Sequence, residues 1–216
     1  MVELDLLPSF IKICGITSVE DASFAVDAGA TAIGLVFAQS PRKIDEVKGQ
    51  EISDYAKDKI LRVGVFKDQS DSEVLSFVTQ VELDCVQLHS ALSTELAGEL
   101  RRLNVAIIKA MSVGTDEIDN FDEHRVDAVL IDGPAPGSGE DHSWADVQQN
   151  HFQRPMIAAG GLNSSNILRI VSSTSAWGVD VSSGCESAPG KKDQLKVQEF
   201  VSKANKAFVQ QENFND

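Results

Sequence analysis

Apolar residues gather into eight short runs: Phe10–Cys14, Ala32–Phe37, Leu61–Phe66, Cys85–Leu88, Ala106–Ala110, Ala128–Ile131, Met156–Ala159 and Gly178–Val181. Each is rich in Val, Ile or Leu, with apolar residues at consecutive positions. That pattern predicts strands buried on both faces, as in a parallel sheet. Between the runs the spacing turns helical. Thr17-Ser18-Val19-Glu20 predicts a capping box before Ala22, Ala25 and Val26, with Gly29 ending that helix. Ser70-Asp71-Ser72-Glu73 repeats the start signal ahead of Val74, Phe77, Val78 and Val81. Leu96, Leu100 and Leu103 follow Ser93, and Asn163 is placed to cap a helix carrying Ile167, Leu168 and Val171. Val197, Phe200, Val201, Ala204 and Phe208 form the stripe of a last helix. The spans 45–57, 115–123 and 143–151 carry weaker helical patterns.

Eight strand–helix units, with no linker-like or low-complexity tract, predict one α/β domain over residues 1–216, a (β/α)8 barrel. The alternative is an open, doubly wound sheet. It would normally have fewer strands and a glycine-rich GxGxxG turn after the first. That turn here is Cys14-Gly15-Ile16.

Charge narrows the partners. The chain has 33 acidic and 19 basic residues, a formal charge of −14. General binding to a nucleic-acid backbone calls for the opposite surface. An anionic ligand needs a locally positive pocket, from helix N-termini and a few Arg or Lys side chains. Three cysteines, Cys14, Cys85 and Cys185, give no disulfide framework and fit a reducing cytosol. Met1 to Pro8 lacks the basic and apolar regions of a signal peptide, and no apolar run approaches a membrane span. The expectation is a cytoplasmic protein with a small-molecule ligand and neither nucleic acid nor membrane as partner. Its oligomeric state is open, with a monomer favoured.

In such barrels the active site is built at the C-terminal strand ends. The first strand ends in Cys14, the fourth in Gln87-Leu88-His89, and the sixth in Asp132. The seventh ends in Gly160-Gly161 and the eighth in Asp180-Val181-Ser182-Ser183-Gly184; Arg42 follows the second. Gly160 and Gly161, with Ser182, Ser183 and Gly184 opposite, suit phosphate at the usual place in a barrel. Either stretch alone reads as an ordinary turn. Cys14 alone reads as a buried core cysteine, and Asp132 as a cap or loop anchor. Across one barrel mouth the two make a general base and a general acid. His89 is a catalytic group or a hydrogen-bonded structural residue; Arg42 is a carboxylate clamp or an exposed loop arginine. Cys85 and His89 lie about 13 Å apart along a strand, too far to share a metal ion, and no HExxH or CxxC is present.

Taken together these motifs resemble the phosphoribosylanthranilate isomerase family of tryptophan biosynthesis. The likeness runs through Lys12-Ile13-Cys14-Gly15-Ile16-Thr17, Gly34-Leu35-Val36-Phe37, Ser40-Pro41-Arg42, Val63-Gly64-Val65-Phe66 and Val86-Gln87-Leu88-His89. It continues through Leu130-Ile131-Asp132, Ala159-Gly160-Gly161-Leu162-Asn163 and Gly178 to Gly184. The resemblance implies a TIM barrel of the ribulose-phosphate-binding type and an Amadori rearrangement of N-(5-phospho-β-D-ribosyl)anthranilate without cofactor or metal. It implies Asp132 as general acid, Cys14 as general base and Arg42 on the anthranilate carboxylate. Lys12, one pleat behind Cys14, is a supporting candidate that pairs with a barrel carboxylate such as Asp180.

The chain departs from the family pattern at Ser90, at Cys185 and in the proline-containing stretch Gly133 to Gly139. Rival barrels fit less well: indole-glycerol-phosphate synthase needs a catalytic lysine set and ribulose-phosphate epimerase a metal-binding His and Asp set. A bifunctional sugar isomerase would carry aspartate where Cys14 stands. A non-catalytic phosphate-ligand sensor would lack Cys14 or Asp132.

Overall fold

A computed structural model describes residues 4–112, 122–133 and 152–215. Eight parallel strands close into a barrel in sequence order, β1 pairing with β8. They are β1 (Phe10–Cys14), β2 (Ala32–Val36), β3 (Leu61–Phe66), β4 (Cys85–Leu88), β5 (Ala106–Ser112), β6 (Ala128–Asp132), β7 (Met156–Ala159) and β8 (Gly178–Val181). The expected barrel is therefore the observed fold. β2 stops one residue earlier than its apolar run. β5 and β6 run on into the polar residues Ser112 and Asp132, which pair with each other in register.

Helices α1 (Val19–Ala28), α2 (Glu46–Ala56), α3 (Asp71–Val81), α4 (Thr94–Arg102), α5 (Ile167–Thr174) and α6 (Gln194–Asn215) cover the outside. Their apolar stripes and the outward strand residues form the larger core, among them Ile11, Ile13, Leu35, Val86, Ile107, Ile131 and Phe200. Inward residues alternate with these along each strand. Phe10, Val63, Cys85, Ile108, Leu130 and Ile157 fill the barrel interior as a second apolar cluster. The helical patterns at 115–123 and 143–151 fall outside the described residues except at Asp122 and Glu123; Glu123 opens a short 3-10 turn, Glu123–Arg125.

Capping follows the sequence at α3, where Ser70 and Glu73 close a capping box, and at α4, where Ser93 accepts from the Leu96 N–H. Two expected caps are corrected. Ser18, not Thr17, caps α1 by accepting from the Asp21 N–H. Thr17 is diverted because its hydroxyl donates to the Gly190 carbonyl at 2.6 Å. At α5 the cap position is Asn166 rather than Asn163. The Asn166 side chain turns back instead, its Nδ2 donating to the Gly161 carbonyl at 3.0 Å and its Oδ1 accepting from the Asn163 N–H at 2.9 Å. The Asn163 side chain still caps the turn that leads into α5, its Oδ1 accepting from the Ser165 N–H at 2.8 Å, while Asn166 braces the glycine pair after β7.

After β8 the chain makes a two-stranded antiparallel hairpin, β9 (Glu186–Ala188) with β10 (Lys191–Lys192), before α6. The apolar pattern gives no hint of it, since the hairpin has little apolar content. No helix among the described residues is long and apolar enough to cross a membrane.

Candidate active site

The C-terminal strand ends surround a cavity of about 320 Å³ whose wall includes Cys14, Arg42, Gln87, His89, Asp132, Gly160, Gly161, Asp180, Ser182 and Ser183. Residues from seven of the eight strands or the loops after them thus converge as the topology requires. Leu130, from the apolar interior, lies at its floor. Gly184 is not on that wall; it sits within the 3-10 turn Ser183–Cys185 behind it.

Lys12 is fully buried beneath the cavity, an arrangement that would be very costly for an unpaired ammonium. It is paired: Nζ lies 3.0 Å from Asp180 Oδ2 and donates to Gln87 Oε1 at 2.8 Å. β1 and β8 pair with Lys12 opposite Asp180, so the sheet register itself brings the two together. Burial opposes the Lys12 charge, but Asp180 and Cys14 outweigh it and hold its pKa above the ordinary value. Lys12 is therefore an ammonium at neutral pH.

That cation fixes its neighbours. Because Gln87 Oε1 accepts from Lys12, its Nε2 is the donor toward His89 Nε2, 3.0 Å away. His89 Nε2 must then be unprotonated, which makes the ring neutral with its proton on Nδ1. Burial and the Lys12 charge both lower the His89 pKa, in agreement. His89 thus stands as a hydrogen-bonded member of the Lys12–Gln87 chain. Gln87 was named in the sequence only as part of a strand end; its role as the link is visible only in three dimensions.

Cys14 follows Lys12 by one pleat, on the same inward face, and is buried to 8% exposure. Gly34 is its register partner on β2, and a Cβ there would stand 2.7 Å from Sγ. Only glycine leaves the thiol its place. Burial raises the Cys14 pKa, Lys12 pulls it back and Asp180 pushes it up; the net shift is upward. Asp132 is also displaced upward, by burial first and the Asp180 charge second, against Lys12. The resting thiol is therefore protonated at neutral pH, and the carboxyl keeps its proton to higher pH than an ordinary aspartate.

Gly160 and Gly161 both have positive φ, 88° and 66°, a conformation that side chains rarely adopt. A Cβ on Gly160 would also press within 2.7 Å of Asp132 Oδ1. Opposite them, Ser182 Oγ is buried with no hydrogen-bond partner, as is Asp180 Oδ1. Buried polar atoms are rarely left so; both belong to residues lining the cavity. Arg42 reaches the cavity with its guanidinium already engaged on one edge. Nε and Nη2 donate to Glu186 Oε1 and Oε2 at 2.6 and 2.8 Å.

Among the described residues no group of three His, Cys, Asp or Glu is placed to hold a metal ion.

The family model described as N-(5'phosphoribosyl)anthranilate (PRA) isomerase matches residues 11–203. The chain belongs to this family. It is 37% identical to the N-(5'-phosphoribosyl)anthranilate isomerase of Oceanobacillus iheyensis over 205 residues, 93% of this chain and 98% of the relative. The crystal structure of phosphoribosyl anthranilate isomerase from Thermotoga maritima superposes with a TM-score of 0.81 at 32% identity, covering 92% of this chain and 99% of that one. A phosphoribosyl anthranilate isomerase in complex with reduced 1-(o-carboxyphenylamino)-1-deoxyribulose 5-phosphate gives a TM-score of 0.76 at 32% identity, over 92% and 99% of the two chains. As a member of the phosphoribosylanthranilate isomerase family, the chain is an isomerase of tryptophan biosynthesis on a TIM barrel.

Proposed function

We propose that Cys14 and Asp132 carry out the isomerisation of N-(5-phospho-β-D-ribosyl)anthranilate to 1-(2-carboxyphenylamino)-1-deoxy-D-ribulose 5-phosphate. The observation that carries the reading is a thiol and a raised-pKa carboxyl on the wall of one cavity that also presents a glycine pair and unpartnered serine and aspartate oxygens. Protonated Asp132 gives its proton to the ribose ring oxygen. The C1′–O bond breaks as the anilinic nitrogen lone pair forms the C1′=N iminium. Cys14, as thiolate, takes the proton from C2′, and the electron pair moves into an enolamine. A proton gained at C1′ and one lost from the 2′-hydroxyl complete the aminoketone, so the sum is an isomerisation.

Asp132 is suited to the acid role because its pKa is raised. Cys14 is not a resting thiolate. Its driving force comes from the iminium, which acidifies C2′–H, and from Lys12, the cation beside it. Phosphate fits Gly160, Gly161, Ser182 and Ser183, with Gly184 completing the turn behind them. Asp180 Oδ1 is placed to accept from a ribose hydroxyl. The guanidinium of Arg42 takes the anthranilate carboxylate on the edge that Glu186 leaves open. Three free, buried cysteines suit work in a reducing cytosol.

The test is the loss of phosphoribosylanthranilate fluorescence with purified protein. We expect turnover, and a KM raised roughly 10- to 100-fold in Arg42→Ala, the scale of a lost charge-assisted pair. An absence of turnover by the folded wild-type chain overturns the reading. An unchanged KM removes Arg42 from the substrate.

A further inference from the structure

The carboxylate of Glu186 lies in the first residue of β9, buried at 8% exposure. Two cations meet it. Arg42 approaches side-on through Nε and Nη2, and Lys192 Nζ lies 3.0 Å from Oε1. Burial alone would favour the neutral acid, yet the hydrogen bonds from Arg42 and Lys192 reverse that and hold the Glu186 pKa below the usual value. The group is thus a carboxylate at neutral pH. A guanidinium has five N–H donors in a rigid fork. With Nε and one N–H of Nη2 taken, three donors remain, two of them on the Nη1/Nη2 edge, enough for a second carboxylate in bidentate fashion. Within this cluster two cations share one carboxylate, so one positive charge is left in excess beside the cavity of a chain whose formal charge is −14.

The position of Glu186 is itself fixed. The hairpin that carries it is tied to the loop after β1 by Thr17 Oγ1 donating to the Gly190 carbonyl at 2.6 Å and to α1 by the Lys192 N–H donating to Asp21 Oδ1 at 3.1 Å. Lys196 Nζ holds the Glu186 carbonyl at 2.8 Å. The stem of Arg42 crosses Gly15, where a Cβ would collide with its Cδ. A side chain of this length on a loop has many rotamers, and holding one of them before substrate arrives removes an entropic cost from binding.

We propose that Glu186 is a positioning residue for substrate. It grips the Nε/Nη2 edge of Arg42, so that the opposite edge faces the cavity and meets the substrate carboxylate without reorganisation. The inference rests on the reading that Arg42 receives that carboxylate.

Glu186→Gln tests it, because simple charge and positioning predict opposite signs. Removing a negative charge near an anion site should tighten an anionic substrate if charge alone matters. A glutamine has one acceptor oxygen and an NH2 that faces the Arg42 donors, so the fork is lost. We expect KM to rise about tenfold, the scale of one charge-assisted hydrogen bond, with kcat within about threefold of wild type. Competitive inhibition by inorganic phosphate should be unchanged. In an Arg42→Ala background the same substitution should change KM by less than about twofold, since there is no guanidinium left to orient.

A lowered or unchanged KM in Glu186→Gln overturns the inference, and so does an equal rise in both backgrounds, which would mark a structural role. If Arg42→Ala alone leaves KM unchanged, the carboxylate reading fails and this one with it. If only the Glu186 variant is silent, the positioning role alone fails. Should Glu186→Gln not fold, the same cycle is run with Glu186→Asp, which keeps the negative charge but withdraws it from Arg42 by one methylene. The same outcomes then decide.

Discussion

Cys14 and Cys85 are both inward-facing, buried and free, yet they stand at opposite depths of one barrel. Cys85 opens β4 near the bottom, among Phe10, Val63, Ile108 and Leu130. Its thiol donates a weak bond to the Val86 carbonyl at 3.6 Å, and burial drives its pKa far above the ordinary thiol range. Cys14 closes β1 at the top. Burial raises it too, but the Lys12 ammonium is the largest opposing influence. Depth by itself makes a thiol inert. The same strand that buries Cys14 also supplies the cation one pleat below it, and Asp180 and Gln87 keep that cation in place. Among the described residues, the barrel interior is thus apolar around Cys85 and ionic in the layer beneath Cys14.

The widest gap should come from removing each thiol. Cys14→Ala and Asp132→Asn are expected to lower kcat/KM by about a thousandfold or more, at the upper end for a lost acid or base. Cys85→Ala should leave kcat within about twofold and cost about 1–2 kcal/mol of stability for the small cavity it opens. Steady-state rates paired with denaturant unfolding curves check both. Full activity in the Cys14 variant, or a dead Cys85 variant that still folds, would erase the distinction between the two ends.

Next comes the cation that separates them. Lys12→Met leaves Asp180 buried without its partner, which should cost roughly 3–5 kcal/mol. It should also slow alkylation of Cys14 at fixed pH, measured in a Cys85→Ala/Cys185→Ala background, because the thiolate loses its stabilising charge. The background matters little for Cys185, whose thiol burial pushes up to about 12. Equal alkylation rates with and without Lys12 would mean that the cation holds the barrel together and does nothing for the thiol.

How far this contrast can be read from the chain itself depends on where each residue finds its partner. The strands were legible because burial on both faces writes consecutive apolar residues; their ends blur only where polar residues such as Ser112 and Asp132 continue the pairing. Once the barrel is inferred, its strand ends name Cys14, Asp132, Gly160, Gly161 and Ser182 as neighbours. Lys12 and Asp180 were legible for a similar reason, since alternation places Lys12 behind Cys14. Glu186 was not, because its partner Arg42 is 144 residues away and its local sequence is a turn and a short hairpin. Asn166 was hidden by a stronger local signal. A cap-forming residue one turn earlier, Asn163, drew the prediction, while the hydrogen bond back to the Gly161 carbonyl set the Asn166 side chain.

The smallest expected effect is a displacement in pH, and it tests whether Asp180 and Lys12 act on the acid and the base together. On the proposed mechanism, turnover needs Asp132 protonated and Cys14 ionised. The rate kcat/KM should therefore rise with pH until Asp132 starts to lose its proton, level off, and fall once Cys14 is largely ionised. Both midpoints lie above the ordinary values of 3.8 and 9.0, since both groups are shifted upward. In each case the Asp180 charge pushes up and Lys12 pulls down. Asp180→Asn removes the first influence and releases the second from its partner, so for both groups the change has one sign. The acid and alkaline limbs should move to lower pH together, whatever the loss in absolute rate from a missing hydroxyl contact. The bottom of the barrel offers the control. Cys85→Ala removes a thiol that does not line the cavity and whose pKa burial raises far above the ordinary range, and its profile should overlay that of the wild type. Limbs that stay in place in Asp180→Asn, or that move apart, would mean that the ionic layer beneath the cavity does not set the proton affinities above it.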